Sequence, residues 1–405
     1  MGKVSELRGL VRGGYKDLTL KTVYPDRYRA AVKKAPVVRG KVVFLEVREA
    51  SLSDNFRVIA SALEKRGSWQ TQTVCIREGM ENQLSTARRC LEAIPKLADA
   101  EFIFVSESSY FLSCLPIRPE TTVIQVWHAC GAFKKFGWSA VGLGFGTTAQ
   151  DLMRYPVHGN FDYVTVSAPE VVWAYAEAFH MEERVDRILP IGVSRTDKFF
   201  RPKFRTRALE RFEKALPMPL RGRRVILYAP TFRGQVAHAA APPLPDLRVL
   251  REKLGGQYVV AVKQHPFVRK RPEIPENVRD FAADLSESLP IEDLLTAADV
   301  LVTDYSSVIF EYSLFERPMI FYVPDLRRYT DERGFYYPLP EMMPGPVARS
   351  TRALAQELQS ADGDFDLARV RAFKYRFMSA CDGHATGRVL KLMERVREEK
   401  EKEKG

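Results

Sequence analysis

The segment VLVTDYSSVIFEYSLFERPMIFY, residues 300–322, indicates the fold by itself. Residues 300–304 are typical of a short buried strand, and residues 306–316 carry apolar side chains at helical spacing. Residues 318–325 are again apolar and typical of a strand. Two strands joined by a helix form a βαβ unit, whose strands lie parallel. The segment therefore predicts a parallel sheet that is covered by helices.

The same alternation extends along most of the chain. Strands are predicted at 41–47, 71–78, 101–107, 121–128, 161–168, 223–231 and 258–266. Helices are predicted between them at 55–67, 83–100, 170–180, 244–256 and 290–299. This pattern predicts doubly wound parallel sheets with helices on both faces.

A charged, proline-marked segment at 201–223 interrupts the pattern and is interpreted as a domain boundary. The predicted division is a basic arm over 1–40, a Rossmann-like acceptor domain over 41–205 and a Rossmann-like donor-binding domain over 206–405. Ligands of open parallel sheets bind outside the carboxyl ends of the strands. The predicted fold class is therefore α/β, with two facing domains and an active-site cleft between them.

Composition narrows the class of protein. The 405 residues are 45% hydrophobic and 28% charged, which is typical of a globular chain. No apolar run reaches the roughly 18 residues that a membrane span needs, and the start lacks the apolar core of a signal peptide. Five cysteines without a CxxC pair are expected to be reduced thiols. A cytoplasmic protein is expected.

The net charge of +11 is concentrated at the start, where residues 1–41 hold eleven Lys and Arg against three Asp and Glu. Such a segment is either a solvated arm or a contact surface for anionic phospholipid or nucleic acid. Apolar residues at helical spacing (Leu7, Leu10, Val11, Tyr15) favour peripheral docking on an anionic membrane. A non-catalytic lipid- or RNA-binding protein is an alternative, although no aromatic and basic stacking surface for RNA is visible.

Polar residues follow the strand that ends at Thr303. Asp304 is expected to cap the next helix, and Ser306 and Ser307 to lie in its first turn, where free N–H groups attract an anion. Glu311 falls about one turn further and could accept a hydrogen bond from a ribose hydroxyl. Alone, this motif could also be a helix cap with a surface glutamate.

Two other strands end in basic residues. Lys263 and His265 alternate with Gln264 in KQHP, so both are expected to project to the same side. In APTFRG, Arg233 offers a planar fork that suits phosphate oxygens. Three such ends in one half of the molecule predict a site for a nucleotide diphosphate.

His128 closes the predicted strand 121–128 and is expected to face the cleft. Lys134 and Lys135 follow it, either near the phosphates of an acceptor or in solvent. The sequence has no GxGxxG after the first strand, no P-loop, no DxD pair and no HExxH. Neither a metal nor a cofactor is therefore expected.

Several of these motifs occur together in the order of a single family. VIQVWHACGAFKKFG, HGNFDYVTVSA, ILPIGVSRTD, ILYAPTFRG, VKQHP and the long segment around TDYSS follow one another. Over about residues 41–390 the chain resembles the CDP-glycerol glycerophosphotransferases of bacterial teichoic-acid synthesis. SLSDNFRVIASAL resembles the first strand–loop–helix of that family and places Asn55 in an acceptor site.

The resemblance implies a GT-B-like architecture and an enzyme on the inner face of the cell membrane. The implied reaction is transfer of glycerol phosphate from CDP-glycerol to a hydroxyl of a polyprenyl-linked acceptor, without a metal, releasing CMP. It also implies that His128 and His265 are catalytic. GVSRTD departs from the family, which more often has proline before the arginine, so the roles of Arg195 and Asp197 are left open.

We predict that His128 is the general base for the acceptor hydroxyl, because an ordinary imidazole pKa near 6.5 leaves much of it neutral at working pH. The predicted donor-binding residues are Arg233, Lys263, His265, Asp304, Ser306, Ser307 and Glu311. Alternatives within the same fold are a CDP-ribitol enzyme, a capsule polymerase and a glycosyltransferase that uses a nucleotide sugar.

Overall fold

A computed structural model describes residues 13–144, 146–234, 238–326, 334–361, 363 and 365–403. Two six-stranded sheets, each wholly parallel, form its framework. The α/β prediction and the strand–helix alternation are confirmed. No helix among these residues combines the length and the apolar character needed to cross a bilayer.

The first sheet has the strand order β2-β1-β3-β4-β5-β6. Its strands are β1 (Val38–Glu46), β2 (Gln70–Cys75), β3 (Ala100–Val105), β4 (Thr122–Gln125), β5 (Tyr163–Thr165) and β6 (Ile188–Leu189). The central strands are covered on both faces, and all four residues of β4 are buried. Continuous burial explains why these strands are apolar runs without alternation.

The second sheet has the order β12-β11-β10-β7-β8-β9. Its strands are β7 (Arg224–Tyr228), β8 (Tyr258–Val262), β9 (Ala282–Asp284), β10 (Val300–Thr303), β11 (Met319–Tyr322) and β12 (Val347–Ala348). β6, β9 and β12 were not predicted. Each has only two or three residues, which is too short for a periodic pattern in the sequence.

Thirteen α-helices that lie wholly within the described residues connect and cover the strands. They are α1 (Tyr24–Lys34), α2 (Asp54–Arg66), α3 (Gln83–Ala98), α4 (Tyr110–Cys114), α5 (Ala149–Arg154), α6 (Val172–Phe179), α7 (Pro202–Ala215), α8 (Leu247–Leu254), α9 (Ile291–Ala297), α10 (Val308–Ser313), α11 (Thr351–Ser360), α12 (Leu367–Met378) and α13 (Ala385–Lys402). The predicted boundary segment contains α7.

The start of the chain is built into the fold. Residues 13–18 are helical and continue through a π-helical turn (Thr19–Val23) into α1. Tyr24 and Tyr28 of α1 are buried in the hydrophobic core of the first half. The described part of 1–40 is therefore a packed helix rather than a free arm, while the predicted stripe at Leu7, Leu10 and Val11 lies outside the described residues.

The last helix crosses back to the first half. Val389, Leu390 and Met393 of α13 belong to the same hydrophobic cluster as Phe44 of β1 and Phe104 of β3. The apolar face of α13 covers one face of the first sheet. The prediction assigned α13 to the donor-binding domain over 206–405, but this helix packs on the first half.

The two halves share apolar packing beside the cleft. The rings of Phe133 and Phe310 meet edge to face at 6.5 Å. Gly131 has φ +63°, and a Cβ there would lie 2.2 Å from the ring of Phe310. Only glycine lets the loop after β4 approach α10 this closely. The loop that carries His128 is consequently fixed against the second half.

Candidate active site

A cavity of about 140 Å³ opens between the carboxyl ends of the two sheets. Residues of both halves line it, among them His128, Arg195, Lys198, Glu292, Ser307 and Glu311. This volume suits a phosphate group with a few hydroxyls or waters, since one water occupies about 30 Å³ in the liquid. Three residues that the sequence predicted, His128, Ser307 and Glu311, therefore meet at one place.

His128 lies in the loop after β4, beside the end of β3. Its Nδ1 is 3.0 Å from the carbonyl oxygen of Ser106. A carbonyl can only accept, so Nδ1 carries the proton and Nε2 keeps its lone pair. Trp127, with φ +51°, packs its ring 4.2 Å from the imidazole. The ring is thus held in the tautomer that a general base requires.

The surroundings of His128 keep the ring neutral. Desolvation by the cleft walls lowers its pKa to about 4, against the hydrogen bond to Ser106, and the charge of Arg195 acts in the lowering direction. The residue is exposed towards the cleft, where solvent offsets part of the desolvation. Since both causes that lower the pKa favour the neutral form, the imidazole is unprotonated near pH 7.

His265 follows β8 in the second half and has the opposite arrangement. Its Nδ1 accepts a hydrogen bond from the backbone N–H of Phe267 at 3.2 Å, so the proton belongs on Nε2. Burial lowers the pKa of His265 to about 4, with the charge of Lys134 contributing. The ring of Phe232 lies 4.8 Å away. A neutral ring with its proton on Nε2 can donate a hydrogen bond from that nitrogen, although His265 does not line the cavity itself.

Arg195 and Glu311 connect the halves across the cavity. Arg195 belongs to the 3₁₀ segment Ser194–Phe200 of the first half and forms an ion pair with Glu311 of α10. Glu311, a predicted donor-binding residue, is 8% exposed and lines the cleft, so the alternative of a surface glutamate is wrong. The carboxylate of Asp197 accepts hydrogen bonds from the N–H groups of Ala385 (3.1 Å) and Thr386 (2.8 Å). This anchor at the start of α13 fixes the segment that carries Arg195.

Lys198 forms a second ionic link across the cleft. Its Nζ lies 2.9 Å from Asp54 of α2 and 3.2 Å from Glu292 of α9. Lys198 is 8% exposed. Glu292 is buried, and Asp54 is half-buried. Lys198 and Glu292 were not predicted, because their partners are distant in the sequence and no motif marks them.

Arg233 is not directed as the sequence predicts. Its Nε lies 2.7 Å from Asp325, its Nη2 2.8 Å from Asp304, and its Nη1 donates to the carbonyl oxygen of Thr231 at 2.7 Å. Asp304, in turn, accepts from the N–H groups of Thr231 (2.8 Å) and Tyr305 (2.6 Å). Two carboxylates therefore bind the fork that was expected to contact phosphate.

The expected cap at Asp304 is also wrong, because α10 has Ser307 as its N-cap residue. The carboxylate of Asp304 instead joins the ends of β7 and β10. Ser306 Oγ accepts from the N–H of Val308 at 3.4 Å, and Ser307 reaches the cavity. Of the predicted pair, Ser307 lies in the cavity and Ser306 lies beside it.

Lys263 is engaged by the backbone. Its Nζ donates to the carbonyl oxygens of Ser286 (2.6 Å) and Leu289 (2.7 Å). Burial lowers its pKa, with nearby Glu292 acting in the opposite direction. Lys263 thus holds the loop between β9 and α9, and β8 ends at Val262, so the strand alternation used to predict one side for Lys263 and His265 does not extend to them.

The predicted acceptor residues lie in the first half. Asn55 is in the first turn of α2, next to Asp54. Lys134 pairs its backbone with Phe335, and the N–H of Lys135 donates to the carbonyl oxygen of Gly334 at 3.0 Å. The charge of Lys134 reaches His265, so this loop spans the two halves. Within the described residues, no group of three or more His, Cys, Asp or Glu could hold a metal ion.

The chain is similar in sequence to a family model and to several known proteins. Residues 27–395 match the family model described as CDP-Glycerol:Poly(glycerophosphate) glycerophosphotransferase. The teichoic acid ribitol-phosphate primase of Bacillus spizizenii is 40% identical over 91% of this chain and 95% of its own. The teichoic acid glycerol-phosphate primase of Bacillus subtilis is 31% identical over 71% of this chain and 72% of its own.

Solved structures agree on the fold. The wall teichoic acid polymerase TagF superposes with a TM-score of 0.75 at 24% identity, covering 99% of each chain. A further structure of that polymerase was obtained after a 15 minute soak with CDPG. An epimerase from Listeria monocytogenes has a TM-score of 0.58 at 12% identity over 89% of this chain and 98% of its own. These neighbours confirm the GT-B-like prediction.

The match to the family model extends over nearly the whole chain, and the relatives exceed 30% identity across most of it. This confirms the resemblance that the motifs indicated. The chain belongs to the CDP-glycerol:poly(glycerophosphate) glycerophosphotransferase family.

Proposed function

We propose that this protein transfers a polyol phosphate from a CDP-polyol to a hydroxyl of a polyprenyl-linked acceptor in wall teichoic acid synthesis. The observation that supports this reaction best is the pair of histidines at the cleft. One is held with a free Nε2 lone pair and the other with an Nε2–H. A base and a hydrogen-bond donor are the two groups that a phosphoryl transfer between oxygens requires.

In the proposed mechanism, the acceptor oxygen attacks the β-phosphorus while Nε2 of His128 removes the hydroxyl proton. A new P–O bond forms to the acceptor, and the P–O bond to CMP breaks. His265 donates to a phosphate oxygen as negative charge grows. The first half places the acceptor and the second half places the nucleotide, so neither histidine needs to move between the two substrates.

Two compounds, CDP-glycerol and CDP-ribitol, are the candidate donors. The sequence favoured CDP-glycerol, with CDP-ribitol as the alternative. Similarity now supports CDP-ribitol, because the ribitol-phosphate primase is 40% identical and the glycerol-phosphate primase 31%. We propose CDP-ribitol as the preferred donor of this chain.

The test is incubation with CDP-ribitol, CDP-glycerol or a UDP-sugar, each with a synthetic polyprenyl-linked acceptor, followed by mass analysis of products. We expect the acceptor to gain ribitol phosphate while CMP appears in equal amount, with and without EDTA. Preference for CDP-glycerol would reject CDP-ribitol as the preferred donor and agree with the donor that the sequence favoured. Transfer from the UDP-sugar alone would reject phosphoryl transfer. Loss of activity in EDTA that magnesium restores would reject a metal-independent reaction.

A polyprenyl-linked acceptor confines the reaction to a membrane surface, and α1 offers the basic face for it. Arg27, Lys33 and Lys34 are exposed, whereas Tyr24 and Tyr28 on the same helix are buried. Anionic lipid attracts each nearby cation by about 1 kcal/mol. We propose peripheral docking through this face.

Deletion of residues 1–40 would remove a packed helix, so point substitutions are the better test. Replacing Arg27, Lys33 and Lys34 by Gln should weaken co-sedimentation with phosphatidylglycerol vesicles and leave transfer to a soluble acceptor analogue intact. Gln at the three exposed cations of α8, Arg248, Arg251 and Lys253, removes the same charge and is the matched control. Equal loss of binding in both variants would reject docking through α1.

A further inference from the structure

The positive charge beside His128 comes from residues that the sequence did not predict. Arg233 and Lys263 are bound by carboxylates and carbonyl oxygens of the second half. Arg195 and Lys198, in contrast, line the cavity together with His128. The phosphoryl group must enter this cavity if His128 is to deprotonate its attacker, so the cation that meets it should be sought there.

Arg195 is a better candidate than Lys198 for the cation that contacts the phosphoryl group. Its Nη2 binds Glu311, while its buried Nε makes no hydrogen bond within the described residues. The thiol of Cys130, a weak acceptor, also interacts with the guanidinium, and the charge of Glu292 acts on it. Arg195 nevertheless lines the cavity, and its side chain is 16% exposed, so a phosphate oxygen in the cavity can contact the accessible part of the guanidinium without displacing the enclosed Nε.

The surroundings of Arg195 keep its guanidinium protonated. Burial alone would lower its pKa, but Glu311, Cys130 and Glu292 together outweigh burial, and the pKa lies above its usual value. Asp197 and Gly192 also fix the backbone beside it. A Cβ at Gly192 (φ +90°) would lie 2.2 Å from the carbonyl oxygen of Ala380. The guanidinium is thus a preorganised cation that needs no rearrangement during the reaction.

We propose that Arg195 is a catalytic residue that contacts the transferred β-phosphate of the CDP-polyol and stabilises its non-bridging oxygens as the acceptor attacks. The inference deepens the proposed function and rests on it. Arg195 remains protonated throughout, and the only proton that moves is the one passed from the acceptor hydroxyl to His128. Glu311 orients the guanidinium from the side of α10.

The test separates the β-phosphate from the rest of the nucleotide by measuring CDP and CMP binding in calorimetry. Since Arg195→Met alone would leave Glu311 buried without its partner, the variant is Arg195→Met with Glu311→Gln. Glu311→Gln alone is the matched control. We expect the double variant to lose about 10- to 100-fold in CDP affinity relative to that control, with CMP affinity nearly unchanged, because CMP lacks the β-phosphate.

Arg233→Met is the second comparison. Because its guanidinium already binds two carboxylates, this variant should lower the unfolding temperature but keep the ratio of CDP to CMP affinity. A ratio that falls in Arg233→Met and not in the Arg195 variant would return the phosphate contact to Arg233.

Activity supplies an independent readout. Arg195→Lys keeps a charge for Glu311 but loses the fork, and should reduce kcat about 10- to 100-fold. In Arg195→Ala with Glu311→Gln, added guanidinium ion should restore turnover and methylammonium should not. Absence of rescue together with an unchanged CDP-to-CMP ratio overturns the role of Arg195. Failure of the unaltered protein to bind CDP would instead reject the proposed function.

Discussion

His128 and His265 share a residue type and a comparable position, since each lies just beyond the end of a parallel strand at the cleft. In both rings burial lowers the pKa to about 4. They differ in the backbone group that faces Nδ1. The carbonyl of Ser106 leaves Nε2 of His128 as an acceptor, and the N–H of Phe267 leaves Nε2 of His265 as a donor.

The difference shows that residue type and strand position do not determine the role of a histidine. Reversing one backbone dipole converts a base into a hydrogen-bond donor without any change in the side chain. One substitution, His to Gln, can expose this contrast, because an amide –NH₂ can replace Nε2–H but cannot accept a proton from a hydroxyl.

The largest effect is expected for His128→Gln. Loss of the general base should reduce kcat by about 10³-fold, within the range typical of acid–base catalysis. CDP affinity should change less than twofold, since His128 belongs to the acceptor half. Steady-state rates and calorimetry provide the two measurements.

His384→Gln is the matched control for this variant, because His384 is an exposed histidine, with its side chain 81% exposed beside Asp382. Its kcat should equal that of the unaltered protein. A His128→Gln enzyme that keeps its kcat but loses CDP would make His128 a donor ligand.

A smaller effect is expected at His265. His265→Ala removes the Nε2–H donor and should lower kcat and CDP affinity about 10- to 100-fold, as for a hydrogen bond to a charged group. His265→Gln should recover part of both losses because its amide can donate in the same direction. Equal damage from Ala and Gln would contradict the assigned tautomer.

The smallest effect concerns pH. A histidine base with a lowered pKa stays unprotonated, and therefore active, until the pH falls below the ordinary value near 6.5. The acid limb of kcat/KM, which reports the free enzyme, should lie below pH 6.5 and be absent from the residual activity of His128→Gln. A limb above pH 6.5 that disappears in His265→Gln would exchange the two roles.

Local pattern was sufficient for most of the framework. The apolar runs that became β1, β4, β8 and β10 predicted parallel strands, and the polar residues after them predicted the edge where a ligand binds. Both rules depend on residues that are neighbours in sequence; the parallel strands are confirmed, and the ligand-binding edge stays a prediction.

Contacts between distant residues decided the rest. Arg233 was expected at phosphate because its partner Asp325, 92 positions later, leaves no mark near APTFRG. Arg195 finds Glu311 at a separation of 116 positions. The tautomer of His128 depends on the carbonyl of Ser106, which no side-chain pattern reports. The basic composition of α1 likewise concealed the buried Tyr28.

The return of α13 to the first sheet has a consequence for biosynthesis. Strands β1 to β6 leave the ribosome before the second half does, but the helix that covers one of their faces follows only after the second sheet. Phe44 and Phe104 therefore remain without Leu390 and Met393 while about 200 further residues are translated, for ten seconds or more at typical elongation rates. A chaperone that binds apolar sheet surfaces would find its target in this interval, and the synthesis of α13 would displace it.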